Sequence, residues 1–216
     1  MTGSDRRPLS SRDTGWARAV TARLVETSIT PNQISMASMA AAALAGAGFW
    51  AAGSTDGWLR SGLFVSAALF CQIRLLCNLF DGLVAVEGGR HTADGAFWNE
   101  FPDRVADILI LVGAGLGAAE PALGWAAATF AVLTAYVREL GRASGLPADF
   151  RGPMAKQHRM ALMTAAALAA AFAPLWPVAG MAVTAALWIV AIGAGLTALR
   201  RAAAAVRGLK DRAGAA

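Results

Sequence analysis

The sequence predicts an all-α integral membrane protein: six transmembrane helices preceded by an amphipathic helix at the membrane interface. Three observations carry this. Of 216 residues, 56% are hydrophobic and only 15% charged, with positive mean hydropathy and a pI near 10. That balance belongs to polytopic membrane proteins rather than water-soluble domains. The forty residues from Met160 to Leu199 carry no charge; as one helix they would be about 60 Å long, roughly twice the hydrocarbon thickness. Basic residues, finally, crowd alternate loops.

One domain is expected over 1–216, divided into a leader (1–12), an interfacial helix (13–28), a six-helix bundle (33–200) and a tail (201–216). The leader shows no cleavable signal pattern, so the chain is read as starting at Met1. In "DTGWARAVTARLVET" Trp16, Val20, Leu24 and Thr27 share one helical face, with Asp13 or Thr14 as cap. Such a helix either lies on lipid or packs on the protein. Pro31 in "ITPNQIS" stops it, and Asn32 is expected to hold the turn into span one.

The spans are Ile34 to Ala52, Ser61 to about Ala85, about Gly95 to Ala119, Pro121 to Val137, and the two halves of the uncharged run. Each is near the ~20 residues needed to cross. The run must fold back at "APLWP", where Pro174 and Pro177 cannot continue a helix and Trp176 suits an interface. Arg6, Arg7 and Arg12 precede span one, and Arg90 lies between spans two and three. Arg142, Arg151, Lys156 and Arg159 lie between four and five, and Arg200, Arg201, Arg207, Lys210 and Arg212 follow span six; the opposite loops carry only Arg60. The positive-inside rule places both termini in the cytoplasm, in an inner (cytoplasmic) membrane. Topology and anionic lipid account for the basic balance, so no nucleic-acid partner is required. Cys71 and Cys77 fall on different faces of one helix and read as packing residues. His91 and His158, in cytoplasmic loops, read as surface residues.

The charged helices break the apolar pattern. Arg74, Asn78, Asp81 and Ala85 stack along one face of span two, and Gly95, Asn99, Asp103 and Asp107 along one face of span three. Acids inside a membrane cost at least ~2.5 kcal/mol each unless paired or hydrated. Arg74 and Arg104 neutralising them as packing salt bridges is one explanation, and a proton relay in a transporter is another. A third is a site for a hard divalent cation such as Mg²⁺ or Mn²⁺, held by oxygens of two facing helices. Gly82, Ala85 and Gly95 leave room there for a phosphate or nucleotide.

The spacing resembles the signature of the CDP-alcohol phosphotransferase family, D-x-x-D-G-x-x-A-R-x(8)-G-x(3)-D-x(3)-D. Without gaps this chain supplies Asn78, Asp81, Gly82, Ala85, Val86, Gly95, Asn99 and Asp103, of which five match. "TPN" before span one, the six-span layout and "VREL" followed by a basic loop extend the resemblance over most of the chain. It implies transfer of a phosphatidyl group from CDP-diacylglycerol to a small polar acceptor, a phosphorylated polyol, with release of CMP. It implies Asp103 as general base, one or two Mg²⁺ or Mn²⁺ ions on Asn78, Asp81, Asn99 and Asp103, and Gly82, Ala85 and Gly95 beside the CDP group. A homodimer in membrane lipid is implied as well.

Asn at the first and third motif aspartates and Val86 for the arginine mark a divergent branch. An amide oxygen binds Mg²⁺ without bringing charge. Glu100 and Asp107 are nearby acids that would compensate, and a catalytically silent lipid- or nucleotide-binding relative is the alternative. For the acceptor, Arg138, Arg142, Arg151, Lys156 and Arg159 form a basic group at the cytoplasmic ends of spans four and five.

Overall fold

The structure, a computed structural model, describes residues 14–90 and 92–214, so the leader and His91 lie outside the described residues. Among the described residues there is no strand. The helices are α1 (Gly15–Glu26), α2 (Pro31–Ala52), α3 (Gly57–Glu87), α4 (Gly95–Gly117), α5 (Pro121–Ala143), α6 (Lys156–Ala170) and α7 (Ala182–Gly214).

Local chemistry sets the boundaries. Thr30 accepts a hydrogen bond from the Gln33 amide at 3.2 Å, and the Gln33 side chain accepts the Thr30 amide at 2.9 Å. This capping box, with Pro31 in the first turn, starts α2. Asn32, expected to hold this turn, instead sends its amide to Asp94 at the head of α4, 3.2 Å away. The long uncharged run breaks where the prolines demand: α6 ends at Ala170, a 3-10 turn spans Pro177–Met181, and α7 follows. The stretch read as a tail is helical as far as Gly214.

Helices α2 to α7 form a closed ring in the spatial order α2, α4, α5, α7, α6, α3. Small residues permit the tightest crossing, between α2 and α4. A Cβ on Gly46 would collide with the Leu109 carbonyl, and one on Gly117 with the carbonyl of Phe49. Phe49, Ile110, Leu111, Met160, Met163 and Leu187 fill the interior. The outside exposes Trp58, Leu59, Phe172, Leu175, Ile192 and Leu199. In water each would forfeit about 25 cal/mol for every Å² of apolar surface left unburied; in lipid that term vanishes. Pro31–Ala52, Gly57–Glu87 and Pro177–Gly214 are long and apolar enough to cross a membrane. The remaining helices do not meet that measure, α6 having only 15 residues.

Helix α1 packs on α3, burying Ala17 against Leu79 and Leu83. Trp16 meets the Phe80 ring edge-on at 5.9 Å, yet it and Val20 remain exposed. Thr14 occupies the N-cap position without a side-chain cap bond. Arg90 fastens this region to the α3–α4 loop by donating to the carbonyls of Val25, Thr27 and Ile29 at 2.8–3.0 Å.

Candidate active site

Helices α3 and α4 pack chiefly along α2 and touch one another only sparsely. Their polar stripes meet at one end of the ring, with α2 supplying hydroxyls between them. Asp81, 6% exposed, accepts the Ser35 hydroxyl at 2.7 Å on Oδ2 and the Gly82 amide at 2.6 Å on Oδ1. Ser38 bonds the Arg74 carbonyl at 3.4 Å.

Asp103, 4% exposed, is the hub. Its Oδ1 accepts Arg74 at 2.9 Å and the Asn78 amide at 2.8 Å, while Oδ2 meets Lys156 and, at 3.5 Å, Arg104. Arg74 is fully buried, and its Nε and Nη1 find no partner. Asp81 lies close enough to Asp103 to feel its charge, and Lys156 acts on both. Two carboxylates thus face three cations, one of which, Arg104, is shared with Glu100 at 3.8 Å. The surplus of positive charge suits an anionic ligand such as a phosphate.

Among the sequence-predicted residues, Asn78, Asp81 and Asp103 stand around this hub. Asn99 is exposed on α4, Val86 is exposed on α3, and Gly82, Ala85 and Gly95 are half-buried. Gly82 faces open space: a Cβ there would meet nothing within 4 Å. Asp107 is fully buried one turn beyond Asp103 and pairs with Arg159 at 2.6 Å. Glu100 pairs with Arg138, whose Nε also donates to Glu139 at 2.8 Å and whose guanidinium lies over the Phe150 ring. Arg142 reaches the other Glu139 oxygen at 3.0 Å.

The basic group is therefore dispersed by its partners. Arg151 grips Asp149 through two nitrogens at 3.0 Å, holding that carboxyl below the usual carboxylate range. Arg159 is 1% exposed and faces Asp107. At the head of α4, hydrogen bonds from Thr92, Trp98 and Asn32 likewise hold the Asp94 carboxyl low.

Two partners were missed by sequence reasoning. Ser35, one turn after Pro31 and three residues before Ser38, carried a faint signal as part of a hydroxyl pair on one face of α2. That Lys156 would reach Asp103, 53 residues away, had no local signal at all.

The donors here suited to a hard divalent ion are the Asp81 carboxylate and the Asn78 amide oxygen. Asp81 supplies a full charge, and the Asn78 amide oxygen is left unspent because only its nitrogen bonds Asp103. Both oxygens of Asp103 are already engaged by cations. Among the described residues no three His, Cys, Asp or Glu side chains gather as a metal cluster.

The sequence matches no protein-family model and no curated protein. The fold does match solved structures of phosphatidylinositol phosphate synthase (PgsA1) from Mycobacterium tuberculosis, each at 19% identity. The form in complex with manganese and citrate superposes with a TM-score of 0.72, covering 87% of each chain. The form with CDP-DAG bound gives 0.70, over 85% of this chain and 89% of that one. The apo form gives 0.68, over 85% and 92%. At this identity the likeness is one of fold: the chain is built as PgsA1 is.

Proposed function

We propose that this chain is a phosphatidyltransferase of the CDP-alcohol phosphotransferase type, moving a phosphatidyl group from CDP-diacylglycerol to a small polar acceptor. The observation that carries the reading is the placing of Asp81 and Asp103, at the resembling motif's spacing, among Arg74, Arg104 and Lys156 at one end of the ring. The shared fold supports it, since PgsA1 is a member of that family and has been crystallised with CDP-DAG bound.

In this reading the acceptor hydroxyl gives its proton to Asp103 Oδ2. Oδ1 is held by Arg74 and Asn78, which fix the carboxylate in place. The acceptor oxygen bonds to the phosphatidyl phosphorus as the bond to CMP breaks, and CMP leaves with the electron pair. Lys156 and Arg104, on the same side as Oδ2, balance charge on the phosphates. Gly82, with Ala85 and Gly95, leaves space for the CDP group. Asp81 and the Asn78 and Asn99 amide oxygens would hold a Mg²⁺ or Mn²⁺ ion, with Asp103 completing the set once the phosphates draw Lys156 from its Oδ2. Such an ion supplies charge stabilisation at the pyrophosphate.

The acceptor, by our reading a phosphorylated polyol, meets Lys156 first, with Arg138 and Arg142 behind it in their pairs with Glu100 and Glu139. We place the site at the cytoplasmic face of a six-span bundle, in a homodimer. Ion pairing of both Asp103 oxygens favours one alternative: a relative that binds the nucleotide lipid without turning it over. The separating experiment incubates purified protein with labelled CDP-diacylglycerol, Mn²⁺ and single acceptors. CMP formed with one acceptor supports transfer, whereas nucleotide binding without CMP across the panel selects the alternative.

A further inference from the structure

Helices α4 and α6 are joined by two ion pairs arranged as successive rungs. Asp103 and Asp107 lie one turn apart on α4, and Lys156 and Arg159 three residues apart on α6, so each helix presents its pair on one face. The outer rung joins Lys156 to Asp103, with the lysine side chain 26% exposed. The inner rung joins Arg159 Nη2 to Asp107 Oδ2 at 2.6 Å, and neither side chain exceeds 2% exposure.

The inner rung is a costly way to hold two helices together. Asp107 Oδ1 and Arg159 Nε are buried without partners. A buried pair left partly unsatisfied recovers little of its desolvation cost, and apolar residues of similar volume often hold better. What the rung supplies is position. α6 rests chiefly on α3 and α7, so Arg159 is what ties its first turn to α4 at depth. The same guanidinium donates to the Met154 carbonyl at 3.1 Å, and the Met154 amide donates to Thr197 of α7 at 3.0 Å. Lys156 stands two residues beyond Met154, on the turn these bonds brace.

We propose that Asp107, acting through Arg159, is a positioning residue: it fixes the first turn of α6 and so holds the Lys156 ammonium against Asp103, where it meets the phosphate of an incoming ligand. Only the ligand clause rests on the transferase reading above. The positioning clause has its own test.

That test uses the full chain in detergent. The sequence has two lysines, and the other, Lys210, is exposed on α7 and serves as an internal reference. Acylation of each by an amine reagent is followed by mass spectrometry in the native chain, Asp107→Asn, and the apolar double variant Asp107→Leu/Arg159→Leu. An ion-paired ammonium resists acylation, so Lys156 should lag Lys210 by roughly tenfold or more in the native chain and by under about threefold in both variants. If the pair only stabilises the fold, the double variant, once folded, keeps the native lag. That result overturns the proposal, as does a native lag in Asp107→Asn should the double variant not fold. With CDP-diacylglycerol and Mn²⁺, the variants should lose about tenfold in kcat with little change in donor KM. A shortened lag in the variants, alongside no CMP release from the native chain, would sink the transferase reading and leave the positioning role standing.

Discussion

The Asn78 amide donates a 2.8 Å hydrogen bond to Asp103 Oδ1. The resembling motif has a carboxylate at this position, which would repel Asp103 unless a cation stood between them. The asparagine turns that repulsion into an attraction and leaves its oxygen for a ligand.

Restoring the acid should therefore make the fold depend on metal. Asn78→Asp removes a donor and adds a like charge beside a buried carboxylate, a loss of about 1–3 kcal/mol. Without divalent ions the unfolding midpoint should drop by about 3–8 °C. Mn²⁺ should restore it, with binding roughly tenfold tighter than in the native chain. Thermal unfolding with and without Mn²⁺ checks both. A variant indifferent to the ion would contradict this account of the position.

Arg74 and Asp103 should behave as a coupled pair. Arg74→Met removes the cation on Oδ1 and leaves Lys156 and Arg104 on Oδ2, a loss of about 1–3 kcal/mol. Adding Asp103→Asn should cost less than the sum of the two single losses, because the Arg74 pair can be lost only once. A double-mutant cycle measures the coupling, and additive losses would argue against direct pairing.

Two glycines should part company. Gly46 touches the α4 backbone at the Leu109 carbonyl, so Gly46→Ala must push α2 from α4, costing roughly 3 kcal/mol or more. Gly82 faces open space, so Gly82→Ala should leave the unfolding midpoint within about 2 °C while weakening donor binding about tenfold. Equal effects on stability would remove Gly82 from the proposed CDP site.

Arg90 is the clamp between the α3–α4 loop and the segment joining α1 to α2. Arg90→Ala removes its bonds to Val25, Thr27 and Ile29. Amide exchange over residues 15–29 should quicken, with a local loss of about 1–3 kcal/mol, while the ring helices keep their protection. Unchanged exchange in that segment would show the clamp to be incidental.

Much of this was legible from local pattern. The prolines of "APLWP" marked the fold-back, and the three-and-four spacing of Asn78, Asp81, Asn99 and Asp103 marked the polar stripes, because both signals depend on the chain's own period. Partner choice was not legible. That α3 and α4 would flank α2, that Asp81 would meet Ser35, and that Lys156 rather than Arg138 would reach Asp103 depend on the order of helices around the ring. That order is set by small-residue contacts such as Gly46 against α4, which no periodicity encodes. Lys156, Arg138 and Arg159 are alike as basic residues in sequence; their neighbours Asp103, Glu100 and Asp107 give them different work.

The most direct test of the central claim is CMP release from labelled CDP-diacylglycerol by the purified chain and by Asp103→Asn, in Mn²⁺ and again after chelation. The account predicts acceptor-dependent CMP from the native chain, its disappearance on chelation, and a loss of at least about 100-fold in the isosteric variant. Full turnover by Asp103→Asn, or no CMP from the native chain with any acceptor, would contradict it.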